Sequence, residues 1–104
     1  MAYEVITHPE VLEELDEAMT YLQGRSLWSA ERLLGEYDSH IAKITASPSG
    51  YHFVYREYRR INLKRFSYHV IYRVRDTSIY VIALAHDKRH PDYWKHRIQD
   101  EEQG

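Results

Sequence analysis

RRINLKRFSYHVIYRVRDTSIYVIALAHDKRHPDYWKHR, Arg59 to Arg97, reads as three consecutive strands that end in a basic, aromatic tail. Apolar and polar residues alternate with period two along much of it, and Arg, Lys and His recur on the polar phase. Arg60-Ile61-Asn62-Leu63-Lys64 alternates as a strand. In the next strand Phe66, Tyr68, Val70, Tyr72 and Val74 share one face, and Ser67, His69, Ile71, Arg73 and Arg75 the other. Asp76-Thr77 suits a tight turn, although the stronger hairpin signal with Gly is absent. Ser78 to His86 is the most apolar run and reads as a central strand. Pro91 then breaks the chain before Tyr93-Trp94-Lys95-His96-Arg97, expected as a last helical turn.

Upstream, the chain reads as scaffold for that sheet. Tyr3 to Thr7 is a short β-rich segment. His8-Pro9-Glu10 opens a helix, because Pro is favourable in a first turn and an acid complements the positive helix end. Val11, Leu12, Leu15, Ala18, Met19 and Leu22 recur at helical spacing, and Gly24 is a plausible stop. A second helix from about Ser26 to Thr45 carries an apolar stripe of Leu27, Ala30, Leu33, Leu34, Tyr37, Ile41 and Ile44. The short connection makes the two antiparallel. Ser47-Pro48-Ser49-Gly50 marks a loop, and Tyr51 to Tyr58 reads as a partly extended connector. The expected fold is α+β, in the order β-α-α-β-β-β. A helical hairpin covers one face of a small, mainly antiparallel sheet and leaves the other face open, and a short helical turn closes the chain. Residues 1–98 are expected as a single domain, and 99–104 as an acidic, disordered tail.

A chain of 104 residues has room for one modest core. No apolar run is long enough to span a bilayer, MAYEVITHPE lacks a signal-peptide pattern, and no lipidation motif occurs, so a cytoplasmic protein is expected. With no cysteine there are no disulfides or thiolate metal sites. The net charge of −2 conceals an asymmetry. Residues 1–50 hold three bases (Arg25, Arg32, Lys43) against nine acids, and residues 51–98 hold eleven bases against four acids. A basic half fits a phosphate- or carboxylate-rich partner. The plain alternative is that the halves neutralise each other.

His86, His90 and His96 lie close in sequence but match no zinc spacing, so no metal and no cofactor is expected. Gly-rich phosphate loops and a nucleophile elbow are absent. Metal-free RNA cleavage would need a base, an acid and cations against the phosphorane charge. His69, His86 or Tyr93 could exchange protons, and Arg60, Arg73 and Arg89 could hold phosphate. Each has a structural alternative: Tyr93 and Trp94 could anchor the tail on the sheet, and Arg73 could pair with an acid across strands.

Arg65, Phe66, Tyr68 and Tyr72, followed by the closing His86, Arg89, Pro91, Tyr93, Trp94 and Arg97, resemble the RelE/ParE family of toxins from bacterial type II toxin–antitoxin operons. The element order resembles that family over nearly the whole chain. The resemblance implies a cognate antitoxin as partner, no membrane, and a homodimer or a heterotetramer with the antitoxin. In the mRNA-cleaving, RelE-like branch the active positions correspond to Arg60, Asn62, His69, Asp87 and Tyr93. Only Arg60 and Tyr93 keep the expected type there, and Asp87 opposes an anionic transition state unless Arg89 takes that role. The Pro-x-Tyr-Trp ending is more similar to ParE-like, plasmid-stabilisation sequences. That branch implies a binding poison of DNA gyrase rather than an enzyme. Target or antitoxin contacts are then expected from Arg60, Lys64, Arg73, Arg89, Tyr93, Trp94 and Arg97. The alternative is a ribosome-dependent mRNA endonuclease using Arg60, His69, His86, Arg89 and Tyr93.

Overall fold

The computed structural model describes residues 3–103, with side chains through Asp100. Strand β1 (Glu4–Thr7) leads into helix α1 (Pro9–Gln23) and helix α2 (Leu27–Ala46). Pro9 takes the first helical position, and the His8 Nδ1 accepts the Glu10 N–H, which caps α1. Ser26 caps α2 by accepting the Ser29 N–H at 3.0 Å. A 3-10 turn over Pro48–Gly50 follows. Then come β2 (Phe53–Tyr55), β3 (Tyr58–Asn62), β4 (Tyr68–Arg75) and β5 (Ser78–His86), and the chain ends in a 3-10 turn (Lys95–Arg97) running into α3 (Ile98–Gln103).

The five strands form one sheet in the order β1-β5-β4-β3-β2, with β1 parallel to β5 and the other pairs antiparallel. This is the expected α+β arrangement, with one edge strand more. The supposed connector from Tyr51 to Tyr58 contains β2, which turns into β3 through Arg56-Glu57. Arg56 sits at φ 49°, a left-handed conformation that Gly or Asn would ordinarily announce. Asp76, at φ 55°, makes the second tight turn, where a short polar side chain tolerates that backbone.

Period-two reading of β5 meets a bulge. Ile71 pairs with Ala83 but Tyr72 pairs with Val81, so Ile82 is an extra residue in β5. The slip inverts the alternation halfway along the strand. Ile79, Val81 and Leu84 therefore all join the helix-side core with Val70, Tyr72, Val11 and Ile44. Ile82 and Ala83 belong instead to a second core on the far face.

That second core corrects the expectation of an open face. Trp94 and Ile98, from the C-terminal segment, pack there with Tyr58, Ile71, Ile82 and Ala83. The C-terminal segment continues beyond this core. Its backbone continues the short helix to Gln103, and Asp100 accepts a 2.8 Å hydrogen bond from His8 Nε2; Gly104 lies outside the described residues. No helix in the described residues is long and apolar enough to cross a membrane.

Candidate functional site

What remains accessible on the far face is a cleft of about 210 Å³ between the sheet and the C-terminal segment. Strands β3 and β4 bring Arg60, His69 and Ile71 to it, because paired Arg60–Ile71 and Asn62–His69 positions share one face. Tyr55 closes one side and Asp87 and Arg89, just after β5, the other. Trp94 and Lys95 complete the wall. The Lys95 ammonium sits 3.8 Å over the Tyr55 ring, a cation–π contact joining the edge strand to the tail.

Charge in the cleft is mixed. His69, 7% exposed, holds its Nδ1 2.7 Å from Asp87 Oδ1. A carboxylate only accepts, so Nδ1 carries the proton and Nε2 keeps its lone pair. Burial pushes the His69 imidazole below its ordinary range; the Asp87 hydrogen bond opposes that shift and Arg60 reinforces it. Arg60 lies 3.6 Å from the same Asp87 oxygen and donates from Nε to Asn62 Oδ1 at 2.7 Å. The arrangement is a neutral, oriented imidazole beside a carboxylate and one partly engaged guanidinium. Such a pair can accept a proton, but Asp87 cancels much of the positive field that an anionic transition state requires.

The closing aromatic-basic motif is spent elsewhere. Glu14, on α1, accepts from Arg97 Nη1 at 2.9 Å and from the Tyr93 hydroxyl in a short contact. Its Oε1 also accepts the Leu84 N–H at 3.1 Å. Arg97, 3% exposed, donates further to the Ile82 carbonyl at 2.9 Å and lies 3.2 Å from Glu10 Oε2. Since β1 ends opposite Val81, the edge of β5 beyond it lacks a strand partner, and Glu14 and Arg97 bond to its backbone. Burial, the Glu14 hydrogen bond and the Glu14 charge all push the Tyr93 phenol upward, so it holds its proton.

Of the residues expected to carry function, Arg60, His69, Arg89 and Trp94 line the cleft. Trp94, however, is 2% exposed and is packed at 5.2 Å from the Tyr58 ring, so it builds the wall rather than grips. Arg89 stacks over Tyr93 at 4.0 Å. Arg73 is buried, 3.1 Å from Glu57 Oε1 and 4.7 Å over Tyr80, the cross-strand acid pairing considered above. Tyr93 and Arg97 belong to the Glu14 clamp. His86 turns to the helix side, edge-on to Tyr68 at 5.1 Å, and its Nδ1 accepts the Lys88 N–H. Lys64 lies on the other side of the molecule, beside α2. Tyr55 and Lys95 were not singled out in the sequence; both depend on β2, whose turn carries no local signal. Among the described residues no group of three or more His, Asp or Glu is gathered as metal ligands would be; His90 Nδ1 accepts the Asp92 N–H.

Comparison with known proteins bears on the same chain segment. The family model described as "ParE toxin of type II toxin-antitoxin system, parDE" matches residues 5–91. The sequence is 29% identical over 86 residues to "Toxin ParE2" of Mycobacterium tuberculosis, covering 82% of each chain. By fold it is similar to a chain of the chromosomal ParDE toxin–antitoxin system from P. aeruginosa, with TM-score 0.71 and 12% identity over 82% of this chain and 96% of that one. It is also similar to isolated E. coli RelE toxin, with TM-score 0.57 and 19% identity over 95% and 99% of the two chains.

Proposed function

The chain belongs to the ParE toxin family of type II toxin–antitoxin systems, and from that premise we propose that it is a binding poison of DNA gyrase, neutralised by a cognate antitoxin. The observation that carries the non-enzymatic reading is the assignment of the closing motif. Tyr93, which a metal-free nuclease would direct at substrate, is bound to Glu14. Asp87 stands in the cleft where positive charge would be needed. A poison needs only a surface that holds its target in one state, which a rigid scaffold with a clamped terminus supplies. Purified chain added to gyrase and relaxed plasmid should block supercoiling and accumulate cleaved DNA. Unchanged supercoiling at large molar excess would remove gyrase as the target.

One observation favours a second reading. The His69–Asp87 pair leaves Nε2 as an oriented base near Arg60 and Arg89, which supplies the base and the cations, though not the acid, of ribosome-dependent mRNA cleavage. Programmed ribosomes incubated with the chain should then show cleavage of A-site mRNA that His69→Asn reduces. Intact message after prolonged incubation rejects it.

A further inference from the structure

Helix α2 packs on the sheet face opposite the cleft, yet it carries a second concentration of positive charge. Arg32 and Lys43, two of only three bases in the first fifty residues, meet Lys64 and Arg65 of the β3–β4 connection around one concave surface. At 100° per residue, positions 32, 36, 39 and 43 fall within about 60° of one another on the helix. Glu31 and Asp38, the neighbouring acids, lie about 80° and about 100° beyond the edge of that arc. The single carboxylate within the surface, Glu36, is already engaged. Its Oε1 accepts the backbone N–H of Lys64 at 2.5 Å and of Arg65 at 2.9 Å. Four cations therefore face solvent against one anion that ties the loop to the helix.

Two features indicate what the surface receives. No aliphatic side chain lines it: Gly35, Ser39 and the buried His40 complete the lining, and at its edge the exposed Trp28 ring lies 4.7 Å beneath the Arg32 guanidinium. A protein interface centres on apolar anchors ringed by polar groups, whereas a nucleic-acid interface is polar and cationic throughout. Gly35 is the second feature. A mid-helix glycine costs about 0.5–1 kcal/mol relative to alanine, and nothing lies within 4 Å of where its Cβ would be. Packing therefore gives no reason for it. A residue without a side chain does keep the surface low between Arg32 and Lys43, where a bulky backbone would approach.

We infer that this surface docks the phosphate backbone of duplex DNA without reading base sequence. The choice of DNA as the polyanion rests on the gyrase reading above, since gyrase presents duplex DNA to anything bound beside it. From 32 to 43 the helix rises about 16 Å, close to the axial length of five phosphates of one strand at about 3.4 Å each.

Fluorescence anisotropy of the full chain with an arbitrary-sequence DNA duplex, across a salt series, tests this. The variant Arg32→Gln/Lys43→Gln/Lys64→Gln/Arg65→Gln should lose about tenfold or more in affinity at low salt. Its slope of log affinity against log salt should flatten by about 0.9 for each phosphate it no longer neutralises. A charge-matched control, Arg25→Gln/Arg56→Gln/Arg75→Gln/Lys88→Gln, should retain most of the affinity and the slope. Gly35→Gln should weaken binding while the thermal midpoint holds or rises. The inference is overturned if the native chain fails to bind DNA at low salt, or if the two quadruple variants lose equally. Binding confined to duplex RNA, or competition by polyglutamate as effective as that by DNA, overturns it as well. Parallel supercoiling assays separate the two readings. Gyrase inhibition without DNA binding removes the inference alone, and patch-dependent DNA binding with gyrase unaffected removes the gyrase reading alone.

Discussion

Glu14 connects more of the molecule than any sequence pattern assigns to it. One carboxylate on α1 accepts from Tyr93, Arg97 and the backbone of Leu84. Removing it by Glu14→Ala leaves the buried Arg97 guanidinium without its main anion and should cost about 3–5 kcal/mol, read from urea unfolding. Tyr93→Phe leaves that ion pair in place and should cost less, about 1.5 kcal/mol, for one hydrogen bond to a charged group. A Tyr93→Phe chain as stable as the native one would show the phenol to be uncommitted and reopen a proton-transfer role. His69 sets a pH dependence. Burial, the leading cause, holds its folded value below the ordinary 6.5, so the folded state excludes a proton that the unfolded chain accepts. The stability tied to neutral His69 is complete above the unfolded value and is lost as pH falls below it. Melting curves between pH 7.5 and 5, about the range in which an ordinary imidazole titrates, should show a steeper decline for the native chain than for His69→Asn. Parallel declines would contradict the assignment.

At the scale of elements, legibility followed locality. Both helices were readable because caps and apolar spacing lie within a few residues: His8 and Pro9 begin α1, and Ser26 begins α2. The two long strands were readable by alternation, and the pairing of Arg60, Asn62 and His69 on one face followed from it. Strand β2 escaped because its turn places Arg56 at positive φ without Gly or Asn. The phase of β5 escaped because Ile82 bulges, and a run of Ile, Val, Leu and Ala gives the same pattern in either phase. Gly35→Ala belongs to this scale too. With helix propensity as the only term that changes, it should stabilise the chain by about 0.5–1 kcal/mol, as a higher midpoint in calorimetry. A loss instead would mean that the added methyl meets something the helix surface does not show.

Across the whole molecule, the decisive element is the C-terminal segment, which crosses the far face and seals a second core. Trp94→Ala should therefore behave as a core truncation, costing about 3–5 kcal/mol, rather than as the loss of an exposed binding residue. A chain ending after Pro91 should expose Tyr58, Ile71 and Ile82 and bind a hydrophobic dye. If such a chain melts like the native one, the segment is an appendage and the second core is not cooperative with the first. The asymmetry of charge between the two halves is likewise resolved only in three dimensions. Part of it is consumed by Glu10 and Glu14 against Arg97 and by Glu36 against the β3–β4 connection. Arg60 and Arg89 remain at the cleft, and four bases remain beside α2.

The sequence by itself determined the α+β class, the order of its main elements, the two helices and the mainly antiparallel character of the sheet. It also carried the family through motifs in the two long strands and the closing segment, because propensity, capping and alternation act over a few residues. Only the tertiary structure decided what that closing segment does. Tyr93, Trp94 and Arg97 could equally have faced a target or the fold. The outcome depends on Glu14, about eighty residues earlier, and on a face of the sheet whose cover no local pattern reveals. Burial is set by what the rest of the chain brings alongside, so an Arg or Tyr has no fixed role until its neighbours are in place.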